Sequence, residues 1–367
     1  MPQPYLLLTP GPLSTSKSVK AAMQVDLSTW DSDYLAITEK IRRQLLRIAG
    51  VTAPDYSAVL LQGSGSYAVE AVLNTIIPKQ NDACLMVAIN GAYGARIAEM
   101  AERLHIRHVD LVVAETEPVT AELVTNFLQQ HPEVTHFAMI HCETTTGILN
   151  PIESVIPLVK DLGLITIVDA MSSFGGIPIN VEDLGIDFLI SSANKCIQGV
   201  PGFAFAIANA PLLEACQGYS TSLSLDLYAQ HMSFKEHPGK WRFTSPTHTV
   251  LAFEQALSEL ILEGGVSQRY LRYTANQKQL VLGMQALGYQ PLLPLALQSP
   301  IITTFKTPSA TFNFEAFYQA LKAQRFVIYP GKTTVTPSFR IGTIGMVDQP
   351  EIKALLAAIA VAQKSNH

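Results

Sequence analysis

Charge is what this chain has least of. Only 15% of its 367 residues are Asp, Glu, Lys or Arg, against about 25% in a typical soluble protein. A surface so poor in charge implies that much of it is covered, by a large α/β core and by a subunit interface. The 25 basic and 30 acidic residues leave a net charge of −5, with no run of Lys or Arg. No nucleic-acid partner is therefore indicated. Cysteine is scarce too. Cys84, Cys142, Cys196 and Cys216 stand far apart without a Cys-x-x-Cys pair, so neither a zinc site nor a disulfide framework is expected. Reduced thiols in a cytoplasmic protein fit better. No stretch approaches the roughly 20 apolar residues of a membrane span. The opening, Met1 to Pro12, has no basic start and only a short apolar run, which is not the pattern of a signal peptide. Gly and Pro, 22 of each, are ordinary in number and exclude collagen-like and disordered classes.

Hydrophobic patterning shows an alternating α/β protein. Strands are predicted at Ala58–Gln62, Cys84–Ile89, Arg107–Val113, His136–His141, Leu164–Asp169, Asp187–Ser191 and Phe203–Ala208. Helical patterns separate most of them, at 67–77, 92–104, 121–130 and 154–162. Continuous apolar strands between helices predict a mostly parallel sheet covered on both faces. Residues 210–240 read as less regular. Two long helices follow, at 247–263 and 267–287, interrupted by Gly264-Gly265. Strands at 301–306, 326–329 and 339–342, with helices at 314–324 and 349–363, then form a small α/β domain. The expected organisation is an N-terminal segment, 1–20, lining the active site; a large domain, 21–264; and a small C-terminal domain, 265–367.

In such sheets ligands bind beyond the carboxyl ends of the strands. Two strand ends carry complementary chemistry. Ile167-Val168-Asp169-Ala170-Met171-Ser172-Ser173 ends an apolar strand in a carboxylate, which is costly to bury without a cation. Ser191-Ser192-Ala193-Asn194-Lys195 ends the next in an amine. Together they point to pyridoxal 5'-phosphate. In that chemistry a Lys amine condenses with the aldehyde, and an Asp pairs with the ring nitrogen. A third strand runs into Gly63-Ser64-Gly65-Ser66 and a helix start, an arrangement that cups a phosphate. Asn90-Gly91-Ala92-Tyr93-Gly94 offers an aromatic for stacking, and Glu143-Thr144-Thr145-Thr146-Gly147 offers hydroxyls.

These segments, with Leu8-Thr9-Pro10-Gly11-Pro12 at the start, resemble the class V aminotransferases, which are fold-type I pyridoxal phosphate enzymes. The likeness spans nearly the whole chain. It implies an α/β fold-type I transferase. Its large domain would hold a mostly parallel sheet covered by helices, with a small C-terminal α/β domain beside it. Three further segments resemble the family members that move the amino group of 2-aminoethylphosphonate to pyruvate. They are Gly239 to Thr249, Phe326-Val327-Ile328-Tyr329-Pro330-Gly331-Lys332 and Phe339-Arg340-Ile341-Gly342. The resemblance implies that Lys195 holds the cofactor and Asp169 pairs with its ring nitrogen. Tyr93 and Met171 would cover its two faces, and Thr144 would face the phenolic oxygen. Ser64, Gly65, Ser66 and Asn194 would surround the phosphate. Thr244 would reach the phosphate of the neighbouring subunit, which implies a homodimer. Arg340 would bind the acidic group of each substrate, and the Ser14 and Thr15 hydroxyls would add donors for a phosphonate. No metal is implied.

The nearest alternatives within this family are alanine–glyoxylate and serine–pyruvate aminotransferases. Tyr93 argues against the first, which has Trp at the stacking position. A cysteine desulfurase is expected to carry His directly before the cofactor Lys, where this chain has Asn194. A ligand-sensing regulator on the same fold would need a DNA-binding module, and no basic patch is present.

Overall fold

The computed structural model describes residues 5–52, 54–79 and 82–364. Met1 to Pro4 of the N-terminal segment and Ser365 to His367 of the C-terminal domain lie outside the described residues. The central sheet has seven strands. From one edge they run 56–62, 203–209, 188–192, 165–169, 136–140, 85–89 and 108–112. All neighbours pair in parallel except at Phe203–Asn209, which is antiparallel to both of its partners. Six of the strands lie almost wholly in the core, as their unbroken Val, Ile, Leu and Ala runs require; the edge strand His108–Val112 is the partly exposed exception. Helices cover both faces.

A second core gathers Leu280, Met284, Phe305, Phe317, Phe339 and Ile359 around a smaller sheet. In that sheet Ile302–Lys306 and Tyr329–Pro330 flank Ser338–Gly342, all antiparallel. The helix Gly265–Ala286 joins the two cores. Its Val266 packs against the first core, and its Leu280 and Met284 enter the second.

Two segments depart from the sequence reading. Phe326–Tyr329, expected as one strand, splits. Phe326–Val327 pairs in parallel with Leu6–Leu7, whereas Tyr329–Pro330 pairs with Ser338–Gly342. The N-terminus is thus stitched to the C-terminal part of the chain. The stretch 210–240, expected to be irregular, contains the helices Ala210–Glu214 and Leu227–Glu236. Asp226 caps the second by accepting from Ala229 N. Its Gln230 and His231 are buried, His231 between Ser57 and Glu214. Buried polar residues break the apolar period by which such a helix is recognised.

Candidate active site

A cavity of about 240 Å³ opens at the carboxyl ends of the central strands. It is lined by Ser64, Gly65, Ser66, Tyr93, Thr144, Asp169, Met171, Asn194 and Lys195. Nine of the positions singled out in the sequence therefore meet in one place. Each arrives at the end of a strand or the start of the following helix. This is how a parallel sheet gathers distant residues.

Asp169 closes the strand Ile165–Asp169 and is 8% exposed. Its carboxylate accepts from Met171 N at 2.8 Å. Burial pushes its carboxyl up to about 6. The Lys195 amine donates to the Pro10 carbonyl at 2.9 Å, and burial holds its pKa below the ordinary lysine value. Neither group has an ion-pair partner among the described residues. A buried carboxylate and a half-buried amine without counter-ions are costly, and a ligand that supplies the missing partners relieves both.

The residues fit pyridoxal phosphate. Asp169 presents a carboxylate that lacks a cation, which a protonated ring nitrogen supplies. Ser64 is the N-cap of the helix Gly65–Ile76, but its hydroxyl makes no capping bond. Tyr67 N donates to the Ser64 carbonyl at 3.0 Å, which leaves the Ser64 hydroxyl and the N–H groups of Gly65 and Ser66 to meet an anion, in the field of the helix dipole. A Cβ on Gly65 would lie 2.3 Å from the Met171 sulfur, so only glycine lets Met171 cross the cavity there.

Tyr93 begins the helix Ala92–Arg103. The buried Glu143 carboxylate holds that helix start, accepting from Tyr93 N at 3.1 Å and Gly94 N at 3.2 Å. Burial raises the phenol, but Lys332, Lys195, the Thr144 side chain and Arg340 together bring its pKa below the usual tyrosine value. The phenol is thus ringed by positive charge.

Arg340 does not line the cavity itself but stands behind Tyr93 and Thr144. It is 5% exposed; its Nη1 donates to the Thr144 carbonyl at 2.8 Å and its Nε to the Pro330 carbonyl at 3.0 Å. No carboxylate pairs with it among the described residues. Burial lowers its pKa, opposed by Tyr93. A buried guanidinium without an anion marks a place for one.

Three predicted residues lie elsewhere. Thr244 is exposed and away from the cavity of its own chain. Ser14 and Thr15 do not line the cavity either. The Ser14 hydroxyl accepts from Leu7 N at 2.9 Å and donates to the Tyr5 carbonyl at 3.4 Å. The N-terminal segment touches Lys195 through Pro10 and Gly11 instead. Gly11 has φ of 110°, and a Cβ there would lie 2.7 Å from Lys195 Cδ. That carbonyl contact has no signature in a side-chain pattern. Arg96, Cys142, Ser172 and Ser192 also line the cavity. Arg96 was findable: it stands three residues beyond Tyr93 on one helix, and so shares its face. All four cysteines are buried. Burial pushes Cys196 up to about 12, and its Sγ donates to the Ser172 carbonyl at 3.2 Å. A thiol held protonated in this way is a poor nucleophile. Among the described residues no cluster suits a metal ion, and no helix is long and apolar enough to cross a membrane.

The model of the aminotransferase class-V family matches residues 15–355. The chain belongs to this family. It is 56% identical over 364 residues to the 2-aminoethylphosphonate–pyruvate transaminase of Lactiplantibacillus plantarum, covering 99% of each chain. It is 58% identical to the protein of the same name from Aeromonas hydrophila, covering 98% of this chain and 95% of that one. Among solved structures, the ureidoglycine–glyoxylate aminotransferase of Bacillus subtilis superposes with a TM-score of 0.90, covering 100% of this chain and 94% of that one. At 21% identity that likeness speaks for the fold alone, and it agrees with a class V aminotransferase fold.

Proposed function

We propose that this class V aminotransferase moves the amino group of 2-aminoethylphosphonate to pyruvate, giving phosphonoacetaldehyde and L-alanine, with pyridoxal phosphate as cofactor. The relatives' shared name supports the substrate pair. The observation that carries the reading at the site is the buried, uncompensated Arg340 beside the cavity of Asp169 and Lys195.

When bound, pyridoxal phosphate supplies an aldehyde that carries the amino group and a ring that accepts electrons. The chain's own residues do the rest. Ser64, Gly65, Ser66 and Asn194 would hold its phosphate, and Tyr93, Met171 and Thr144 its ring. Asp169 would pair with its protonated ring nitrogen. Lys195 Nζ would take the proton from the carbon of the incoming amine as a base and give it back as an acid. Its lowered pKa raises the share of free amine that such a base needs. Arg340 orients each substrate by its acidic group, phosphonate first and carboxylate second. One guanidinium serves both, since its planar fork donates to either oxygen pair.

Thr244 takes part from the neighbouring subunit of a homodimer in this reading, which agrees with its exposed position on its own chain. The enzyme acts in the cytoplasm. Incubating the holoenzyme with a panel of amines and either pyruvate or glyoxylate, and following alanine or glycine, tests the substrate pair. 2-Aminoethylphosphonate should give the highest kcat/KM of the panel. Preference for serine, or for glyoxylate as acceptor, would replace the reading with the serine–pyruvate or alanine–glyoxylate alternative.

A further inference from the structure

Lys332 is a further cation without an ion-pair partner among the described residues; like Arg340 it does not line the cavity itself but stands beside it, against Tyr93. It lies in the Tyr329-Pro330-Gly331-Lys332 segment, to which the mechanism above gives no task. Its Nζ stands 4.0 Å from the centre of the Tyr93 ring, and its side chain is half-buried. Glu99 and Glu115 share a neighbouring hollow with it, yet no carboxylate lies within ion-pair distance among the described residues. Glu115 is engaged otherwise: it accepts from Thr334 N at 3.0 Å.

The backbone fixes where this lysine sits. Gly331 N donates to the Ser338 carbonyl at 3.0 Å. The Thr333 hydroxyl bonds the Thr336 carbonyl at 2.7 Å and lies 2.8 Å from the Ser338 hydroxyl. The Thr334–Glu115 bond then clips the tip of the loop to the large sheet's side of the molecule. The loop is short, tied at both ends and aimed at Tyr93. A half-buried ammonium held there without an anion calls for a ligand charge.

The two substrates differ in charge. A carboxylate carries one negative charge. A phosphonate, like a phosphate ester at neutral pH, carries close to two. Arg340 balances one of them.

We infer that Lys332 is a specificity-determining residue that takes the second negative charge of the phosphonate, while Arg340 takes the charge common to both substrates. This rests on the proposed substrate pair. It assigns discrimination between donor and acceptor to a residue that pyruvate has no need of.

The test uses holoenzyme with Lys332→Gln and Lys332→Arg. The two half-reactions are measured separately, with 2-aminoethylphosphonate and with pyruvate. Calorimetry then compares binding of two unreactive anions of one shape, ethylphosphonate and ethanesulfonate, the second of which carries a single charge. Lys332→Gln should lower kcat/KM for 2-aminoethylphosphonate about 10- to 100-fold, chiefly through KM, as expected for a lost charge-assisted hydrogen bond. The pyruvate half-reaction should stay within about threefold of wild type. The preference for ethylphosphonate over ethanesulfonate should vanish, and Lys332→Arg should restore most of both. Equal losses with both substrates would show a merely structural loop and overturn the inference. So would no loss with either, or an unchanged preference between the two anions. If wild-type enzyme ignores 2-aminoethylphosphonate, the substrate reading fails by itself. The calorimetric arm still decides whether Lys332 reads a doubly charged anion.

Discussion

Two clusters of buried charge meet the loop that carries Lys195, and they differ in how they are neutralised. In the first, Arg269 is 2% exposed and donates through Nε and Nη2 to Glu263 at 2.9 and 2.7 Å. Its Nη1 donates to the Cys196 carbonyl at 2.8 Å. Arg272 donates to the other oxygen of Glu263 at 2.7 Å and to the Gly345 carbonyl at 2.9 Å. Burial alone would raise Glu263, but its bonds to Arg272 and Arg269 outweigh it and hold its pKa below the ordinary value. In the second, Asp169 and Arg340 are buried and Lys195 is half-buried, and none of them has an ionic partner among the described residues. The first cluster is complete within the chain and acts as structure. The second is complete only with a ligand. Pairing, rather than burial, separates a brace from a site.

That contrast breaks if the two clusters respond alike to neutralisation. The largest effect is expected in the brace. Glu263→Gln leaves the fully buried Arg269 without its anion and Arg272 with only the Asp348 carboxylate at 3.6 Å, and should destabilise the protein by about 3–5 kcal/mol. Thermal unfolding reads this directly. The depressed pKa sets the pH dependence. Stability from Glu263 is fully present above its unfolded value and is lost as pH falls through the lower folded value. The variant should show a smaller acid-induced loss than wild type.

Next comes Arg340. Arg340→Lys keeps the charge but loses the fork that bonds the Thr144 and Pro330 carbonyls. It should cost about 2–4 kcal/mol in kcat/KM with both substrates, on the scale of lost buried charged pairs, while cofactor absorbance is retained. A variant as active as wild type toward both would remove Arg340 from the site.

The smallest effect has the opposite sign from the first. Asp169 has a raised folded pKa, about 6 against a model-peptide value of 3.8. The folded cofactor-free protein therefore binds more protons than the unfolded chain between those values, and loses stability as pH rises across them. Asp169→Asn should stabilise cofactor-free protein by about 1–3 kcal/mol at pH 8 and by nothing at about pH 3. Destabilisation at pH 8 would show that Asp169 is braced like Glu263.

The two halves of the site were not equally legible in the sequence. Buried parallel strands read as unbroken apolar runs, so Leu164–Asp169 and Asp187–Ser191 stand out, and the residues ending them follow. Lys195, Asp169 and the Gly63-Ser64-Gly65-Ser66 turn are local features of this kind. The other half comes from the two ends of the chain. Pro10 reaches Lys195 through a backbone carbonyl, and Lys332 reaches Tyr93 through a loop whose course is set by Ser338 and Glu115. Neither leaves a periodic trace. The pairing of Leu6–Leu7 with Phe326–Val327 is equally silent, since two residues are too few to form an alternation.

The central claim is that the unpaired cluster is a cofactor site closed covalently by Lys195. Reducing the pyridoxal phosphate-loaded protein with borohydride and mapping the modified peptide tests it most directly. The account predicts loss of the yellow colour and one phosphopyridoxyl group, on Lys195. A label on another lysine, or a protein that takes up no cofactor on reconstitution, would contradict it.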